Sequence, residues 1–311
     1  MDPCRLLIDT DPGVDDALAI LMAHAHADVA ALTIATGNVG LGQTTANALK
    51  LIEVIGADTP VYPGCPVPLV QAPDGGASEI HGRDGFGDTG YAAARRNPES
   101  EHAALAMSRL TREAPGEITL VCIAPLTNLA LAVRLDPELP KRVARLVIMG
   151  GAVTGHGNYL RPATEFNAGF DPEAAAIVFG AFPSFELVDW EATLRYPLRD
   201  AELDGWFRRG DDRARFYADI SRHARAANRA RGRGGLMAAD ALAMAVALQP
   251  DVVTRAETRH LEVALAEGVT RGATVVDWDG RGGKPANARI VLEVDRARFE
   301  SMVAAGLGVS G

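Results

Sequence analysis

Short apolar runs alternate along this chain with longer stretches whose apolar residues recur at helical spacing. Leu6 to Ile8 is the first such run, closed by Pro12-Gly13, which predicts a short buried strand ended by a turn. Leu18, Leu21, Met22 and Ala25 then fall on one helical face. The pattern repeats: strands are predicted over 29–36, 118–123, 145–149 and 185–189, and helices over 46–55 and 101–114. A further helix begins after Asp171, a suitable N-cap, with Pro172 at its first position. Residues 199–233 and 241–248 read as helical, 261–266, 273–278 and 288–294 as strands, and a last helix follows Asp295. Loops are expected over 60–98 and 151–170. Strand alternating with helix predicts βαβ units. The expected fold is therefore α/β, with a Rossmann-like, open and mostly parallel sheet flanked by helices. No linker or shift in composition divides the chain, so residues 1–311 read as one domain.

Composition narrows the class. With 48% hydrophobic residues in 311 the chain can bury a sizeable core. A net charge of −9 argues against nucleic acid as main partner. No basic segment followed by an apolar run opens the chain, and no uninterrupted apolar stretch reaches the ~18 residues of a membrane span. The three cysteines are scattered without metal-site spacing. A soluble protein of the reducing cytoplasm is expected.

The chemistry concentrates where the first strand meets the first helix. Asp9, Asp11, Asp15 and Asp16 lie within eight residues. Such charges repel strongly when weakly screened, and a helix N-terminus offsets only about half a charge. A divalent cation among them is expected, and an all-oxygen donor set suits calcium or magnesium. Open α/β sheets bind ligands beyond the carboxyl ends of their strands, which is where this cluster falls. Asn38 ends the second strand and can reach the same cleft. The stretch from Gly37 to Thr44 nearly matches a phosphate-binding loop, but Gln43 stands where the lysine is needed, so no nucleotide triphosphatase is read here. His81, among glycines, is either a mobile active-site base or an exposed loop histidine. Asp240 either caps a helix or closes the metal site from the far end of the chain. The arginine-rich 199–233 segment is interleaved with acids and reads as a solvated face followed by a flexible loop.

These pieces resemble one family in order and rough spacing. Asp9-Thr10-Asp11-Pro12-Gly13-Val14-Asp15-Asp16-Ala17 is similar to the N-terminal signature of the inosine–uridine-preferring nucleoside hydrolases. Asn38, Ile80-His81-Gly82, Ala124-Pro125-Leu126-Thr127-Asn128, Met149-Gly150-Gly151, Asn158, Glu165-Phe166-Asn167, Asp171-Pro172-Glu173-Ala174 and Asp240 extend the likeness over about residues 5 to 250. The resemblance implies hydrolysis of the N-glycosidic bond of ribonucleosides. It further implies calcium held by the carboxylates of Asp11, Asp16 and Asp240 and the carbonyl of Ile123, with Asp11 also the base that activates water. By the same resemblance Asp15, Asn38 and Asn167 hold the ribose 2′- and 3′-hydroxyls and Asn158 and Glu165 the 5′ side. His81 lies near the substrate in a mobile loop. Homodimers or homotetramers are the family's usual assemblies.

The chain departs from the family on the nucleobase side. Many members carry a histidine before the last aspartate, proposed as the acid for the leaving base; here it is Ala239. His81, Tyr159, Trp190 and His223 are the candidates for that half of the site. Two other readings stay open on the residues. A non-catalytic, calcium-dependent nucleoside- or ribose-binding protein accounts for Ala239. A haloacid-dehalogenase-type phosphatase would use Asp9 as nucleophile with magnesium, but leaves Asp15-Asp16 and Glu165-Phe166-Asn167 unexplained.

Overall fold

The computed structural model describes residues 4–72 and 75–309. Nine strands form the sheet: β1 (Arg5–Thr10), β2 (Asp28–Ile34), β3 (Val61–Pro63), β4 (Ile118–Cys122), β5 (Arg145–Met149), β6 (Phe185–Val188), β7 (Val253–Val263), β8 (Thr274–Asp277) and β9 (Ala288–Val294). Their order is β3-β2-β1-β4-β5-β6-β9-β7-β8. β1 to β6 and β9 run parallel, while β7 is antiparallel to both β9 and β8. The chain thus folds as the expected α/β domain with a mostly parallel sheet.

The central strands read as continuous apolar runs because both of their faces are covered. In β1, Leu6 and Ile8 join the core that also holds Leu32, Val121 and Val147. Leu7 joins the opposite core, with Leu120, Cys122 and Ile148. Successive side chains of a strand point to opposite faces, and here each face meets a layer of helices. The helix Val14–His26 lies against Ala239–Leu248 and Arg296–Gly306 on one side. Ala103–Glu113, Thr127–Leu135 and Pro172–Ala181 cover the other. Between β1 and β4 the strand order reverses, which opens a crevice at their carboxyl ends.

Several elements depart from the sequence reading. The helix Leu41–Ile55 starts inside the near phosphate-binding loop, because Gly42, a poor helix former, hides its first turn. The 60–98 stretch contains β3 and the short helix Ser78–His81; residues 73 and 74 lie outside the described residues. The 151–170 stretch contains the helix Phe166–Phe170, whose cap is Glu165. The 199–233 segment is two helices, Asp200–Arg209 and Asp212–Ala230, with Asp211 capping the second. β7 begins at Val253 rather than near 261 because its first half carries exposed Thr, Arg and Glu side chains and so lacks an apolar run. Asp171 caps its helix as expected, accepting from the Ala174 N–H at 3.0 Å. Among the described residues no helix is long and apolar enough to cross a membrane.

Candidate active site

β1 delivers its last residues into the crevice, and the helix Val14–His26 starts immediately after. Asp16 lies in that helix's first turn and is fully buried. Its carboxylate accepts from Thr10 Oγ1 at 2.5 Å, the Asp11 N–H at 3.1 Å, the Gly13 N–H at 3.0 Å and Asn38 Nδ2 at 3.0 Å. Those four bonds weld the strand end, the turn and the end of β2 into one unit. Asp11 is held from the same side, its Oδ2 accepting the Asn38 N–H at 2.6 Å. Gly37 makes this approach possible: a Cβ there would sit 2.1 Å from Asp11 Oδ2.

Carboxylate oxygens of Asp15, Asp16 and Asp240 lie within 4.8 Å of one another. Burial pushes all three upward from the usual carboxylate range, Asp15 to about 6, and neighbouring charges push Asp16 and Asp240 further. Burial, then the Asp16 charge, raises Asp11 as well. Crowded, desolvated oxygen donors of this kind fit a hard divalent cation. The cluster therefore brings Asp15 beside Asp16 and Asp240, where the sequence reading had paired Asp11 with those two and left Asp15 to the substrate. The fourth acid of the motif lies apart. Asp9 is fully buried, its Oδ1 accepting from Thr33 Oγ1 and Asn128 Nδ2 at 2.9 Å each. Burial raises it to about 7. It lines no part of the cavity, which deprives the phosphatase reading of its nucleophile.

Above the cluster lies a cavity of about 390 Å³. It is lined by Asp11, Asp15, Asn38, His81, Ile123, Asn158, Glu165, Asn167, Trp190 and Asp240, so ten of the eleven metal, catalytic and substrate residues, nine assigned from the resemblance and Trp190 from the nucleobase-side candidates, converge on it, while Asp9 and His223 do not. Asp16, the eleventh, sits just beneath. Glu165 is locked by three backbone donors: Asn167 N–H at 2.9 Å, Gly151 N–H at 2.8 Å and Ala168 N–H at 3.1 Å. Burial lifts its carboxyl to about 7. Asn167 Nδ2 reaches the carbonyls of Ile123 at 3.3 Å and Met149 at 3.2 Å, bridging the ends of β4 and β5. Asn158 Oδ1 accepts the Phe166 N–H at 2.8 Å.

His81 is neither exposed nor loosely held. It is 7% exposed and closes the short helix Ser78–His81. Its Nδ1 accepts the Val14 N–H at 3.0 Å, which assigns the proton to Nε2, 3.9 Å from Asp15 Oδ1. Burial pulls the imidazole down to about 4, so the ring is neutral. The Gly-rich surroundings suggested mobility, but the orphan N–H of the first helix ties the ring in place.

Opposite the acids the lining changes character. Trp190, at the start of the helix after β6, is 5% exposed, and the Arg233 guanidinium lies 4.7 Å from its ring centroid. Tyr159, Leu160, Phe166, Met237, Ala239, Asn228 and Arg231 also line the cavity. Arg231 is paired with Glu79 at 2.8 Å. His223 faces the Glu79 carbonyl at 3.2 Å and does not line the cavity. Reading 231–235 as a solvated loop missed Arg231 and Arg233. The only signal for them was the arginine run that interleaved acids made look ordinary.

An oxygen-rich acidic cluster under a cavity of this size, at the reversal point of a parallel sheet, suits a cation and a small polar ligand. The inosine-uridine preferring nucleoside hydrolase family model matches residues 6–301, and the chain belongs to this family of N-glycosyl hydrolases. It is 37% identical over 301 residues to the non-specific ribonucleoside hydrolase RihC of Escherichia fergusonii, covering 96% of each chain. A plant nucleoside hydrolase, the PpNRh1 enzyme, superposes with a TM-score of 0.92 at 33% identity, over 99% of this chain and 100% of that one. An inosine-guanosine nucleoside hydrolase superposes with a TM-score of 0.92 at 32% identity, over 99% of each.

Proposed function

We propose that this chain, taken over 1–311 as one catalytic unit, hydrolyses ribonucleosides to free base and ribose with calcium as cofactor. The observation that carries the reading is the convergence of Asp11, Asp15, Asn38, Glu165, Asn167 and Asp240 on one cavity over a buried acidic cluster. Asp11, Asp16 and Asp240 with the Ile123 carbonyl are the ligands we assign, and Asp15 is close enough to Asp16 and Asp240 to share the ion or the substrate diol bound beside it. When bound, calcium holds a vicinal diol and makes water more acidic.

The chain's own groups do the rest. Asp11 takes the proton of the attacking water. Its raised affinity for a proton, from burial and the Asp16 charge, suits a general base. As the base leaves, positive charge grows on the sugar ring, and the surrounding carboxylates and amide oxygens stabilise it. Asp15, Asn38 and Asn167 grip the 2′- and 3′-hydroxyls, and Asn158 and Glu165 the 5′ side. His81 presents its Nε2–H toward Asp15 and the substrate. Trp190 offers an aromatic face to the nucleobase. Three free cysteines accord with a cytoplasmic setting, and we expect a homodimer or homotetramer.

The test is chromatography of reactions with inosine, adenosine, guanosine, uridine and cytidine, each with calcium and with excess chelator. Release of free base that the chelator abolishes is the expected result. Tight ribonucleoside binding with no release from any of the five would replace the hydrolase by the non-catalytic binding protein.

A further inference from the structure

Cleaving an N-glycosidic bond leaves the bonding electron pair on the nucleobase. Of the groups assigned above, Trp190 only stacks on the nucleobase and the others serve the ribose and the water, so none is assigned to that departing charge. Ala239 has no proton to give. The nucleobase wall nevertheless holds an unneutralised cation. Arg233 lines the cavity with its guanidinium over Trp190 at 4.7 Å. Its other polar neighbour is the amide oxygen of Asn228 at 3.5 Å, at the edge of hydrogen-bond range. Among the described residues no carboxylate forms an ion pair with it, whereas Arg225, Arg229 and Arg231 each have one. Burial and the adjacent Arg231 charge both disfavour this cation. Stacking on an indole repays only part of that cost. A half-buried guanidinium without an acid, facing a substrate cavity, calls for an electron-rich partner within that cavity.

We propose that Arg233 receives the departing nucleobase, donating its N–H groups to the acceptor edge of the base as negative charge builds there, and that it thereby favours 6-oxopurine ribonucleosides. The inference rests on the hydrolase reading above. In the step, the oxygen of water bonds to C1′ and its proton passes to Asp11. The C1′–N9 bond breaks with its electron pair going to the base. Arg233 keeps its own protons throughout, and the base anion then takes one from solvent. A guanidinium is a donor-only fork. Inosine and guanosine present O6 and N7, two acceptors on one edge, which match that fork. Adenosine presents an amino group in place of O6 and sets donor against donor.

The competing role for Arg233 is to pin its loop onto Trp190. Steady-state kinetics of Arg233→Gln and Arg233→Lys on inosine, adenosine and 4-nitrophenyl β-D-ribofuranoside separate the two. The last substrate loses a nitrophenolate that needs no stabilising donor. Arg233→Gln should lower kcat on inosine about 100-fold, the scale of one lost charge-stabilising donor, on adenosine less than about tenfold, and on the nitrophenyl riboside less than about threefold. Arg233→Lys, which keeps the charge but not the fork, should fail to restore the preference for inosine over adenosine. Equal losses on inosine and the nitrophenyl riboside would mean a loop-positioning residue and overturn the proposal, as would unchanged inosine turnover. A wild-type protein that cleaves none of the three would remove the hydrolase reading, and this inference with it.

Discussion

Chelator should destabilise this protein relative to millimolar calcium, and more so as pH rises. Asp15, Asp16 and Asp240 bring carboxylate oxygens within 4.8 Å of one another. At an effective dielectric constant of ~20, two unit charges at that separation repel by about 3 kcal/mol. Three such pairs approach ~10 kcal/mol, as large as the whole stability of a typical domain at ~5–15 kcal/mol. The cation-free fold therefore keeps protons on the cluster, in line with the upward shifts of Asp15, Asp16 and Asp240. The sign follows. A carboxyl whose proton is held more tightly folded than unfolded favours the fold most below the unfolded value, near 4, and loses that contribution as pH rises through the folded value. For Asp15 that value is about 6, and Asp16 and Asp240 are also raised. Each extra proton held by the folded state costs about 1.4 kcal/mol of stability per pH unit. For Asp15 that window runs from about pH 4 to about 6 and is worth about 3 kcal/mol, or roughly 5 °C in Tm for a chain of this size. Calcium replaces the protons and should flatten the slope. The assay is thermal unfolding from about pH 4 to 7 in chelator and in millimolar calcium. A calcium-induced gain in Tm that widens with pH is expected. Identical slopes in the two conditions, or no gain at all, would refute a cation at this cluster.

Three further substitutions probe the site. Asp11→Asn should cut kcat about a thousandfold, within the range for a lost general base, while an amide oxygen still accepts the Asn38 N–H and keeps Tm near wild type; near-normal turnover would dismiss Asp11 as the base. Gly37→Ala puts a Cβ 2.1 Å from Asp11 Oδ2 and 3.0 Å from Pro125 Cδ, so Asp11 must shift; kcat should fall at least tenfold, as expected when a reacting group is displaced by about 1 Å, and unchanged kinetics would show that the pocket tolerates the move. Glu165→Gln can keep an oxygen toward Gly151 and Ala168 but leaves the Asn167 N–H facing an amide NH2. One orphaned buried donor should cost about 1–3 kcal/mol, read as a lower denaturation midpoint with a raised KM, and an unaltered midpoint would count against the lock.

The two halves of this site differ in how far sequence reveals them, and the reason is physical. The acidic half is local. One strand–turn–helix carries Asp9 to Asp16, so residue types, the turn and the helix start announce the cluster before any tertiary contact is known. Even there, the residue pattern without the family resemblance does not sort Asp9 from Asp11, because Asp9 is claimed by Thr33 and Asn128 from 24 and 119 positions away. His81 is hidden in the same way, since its glycine neighbours advertise a loop while its partner, the Val14 N–H, lies 67 positions off. The first half of β7 escaped because antiparallel strands with solvated faces carry no continuous apolar run. The nucleobase half is non-local throughout. In the 199–233 segment six acids are interleaved with ten arginines, which is why the stretch looks like an ordinary solvated face. Pairing is what distinguishes one arginine from another. Arg225 meets Asp200 and Asp204 at 2.6 and 2.7 Å, Arg229 meets Asp200 at 2.7 Å, and Arg231 meets Glu79 at 2.8 Å. Arg233 is left to Trp190 and the cavity. The exposed Arg208 and Arg209 form no ion pair among the described residues either, so Arg233 is marked by the missing acid together with its half-buried place on the cavity, and that is a property of the fold.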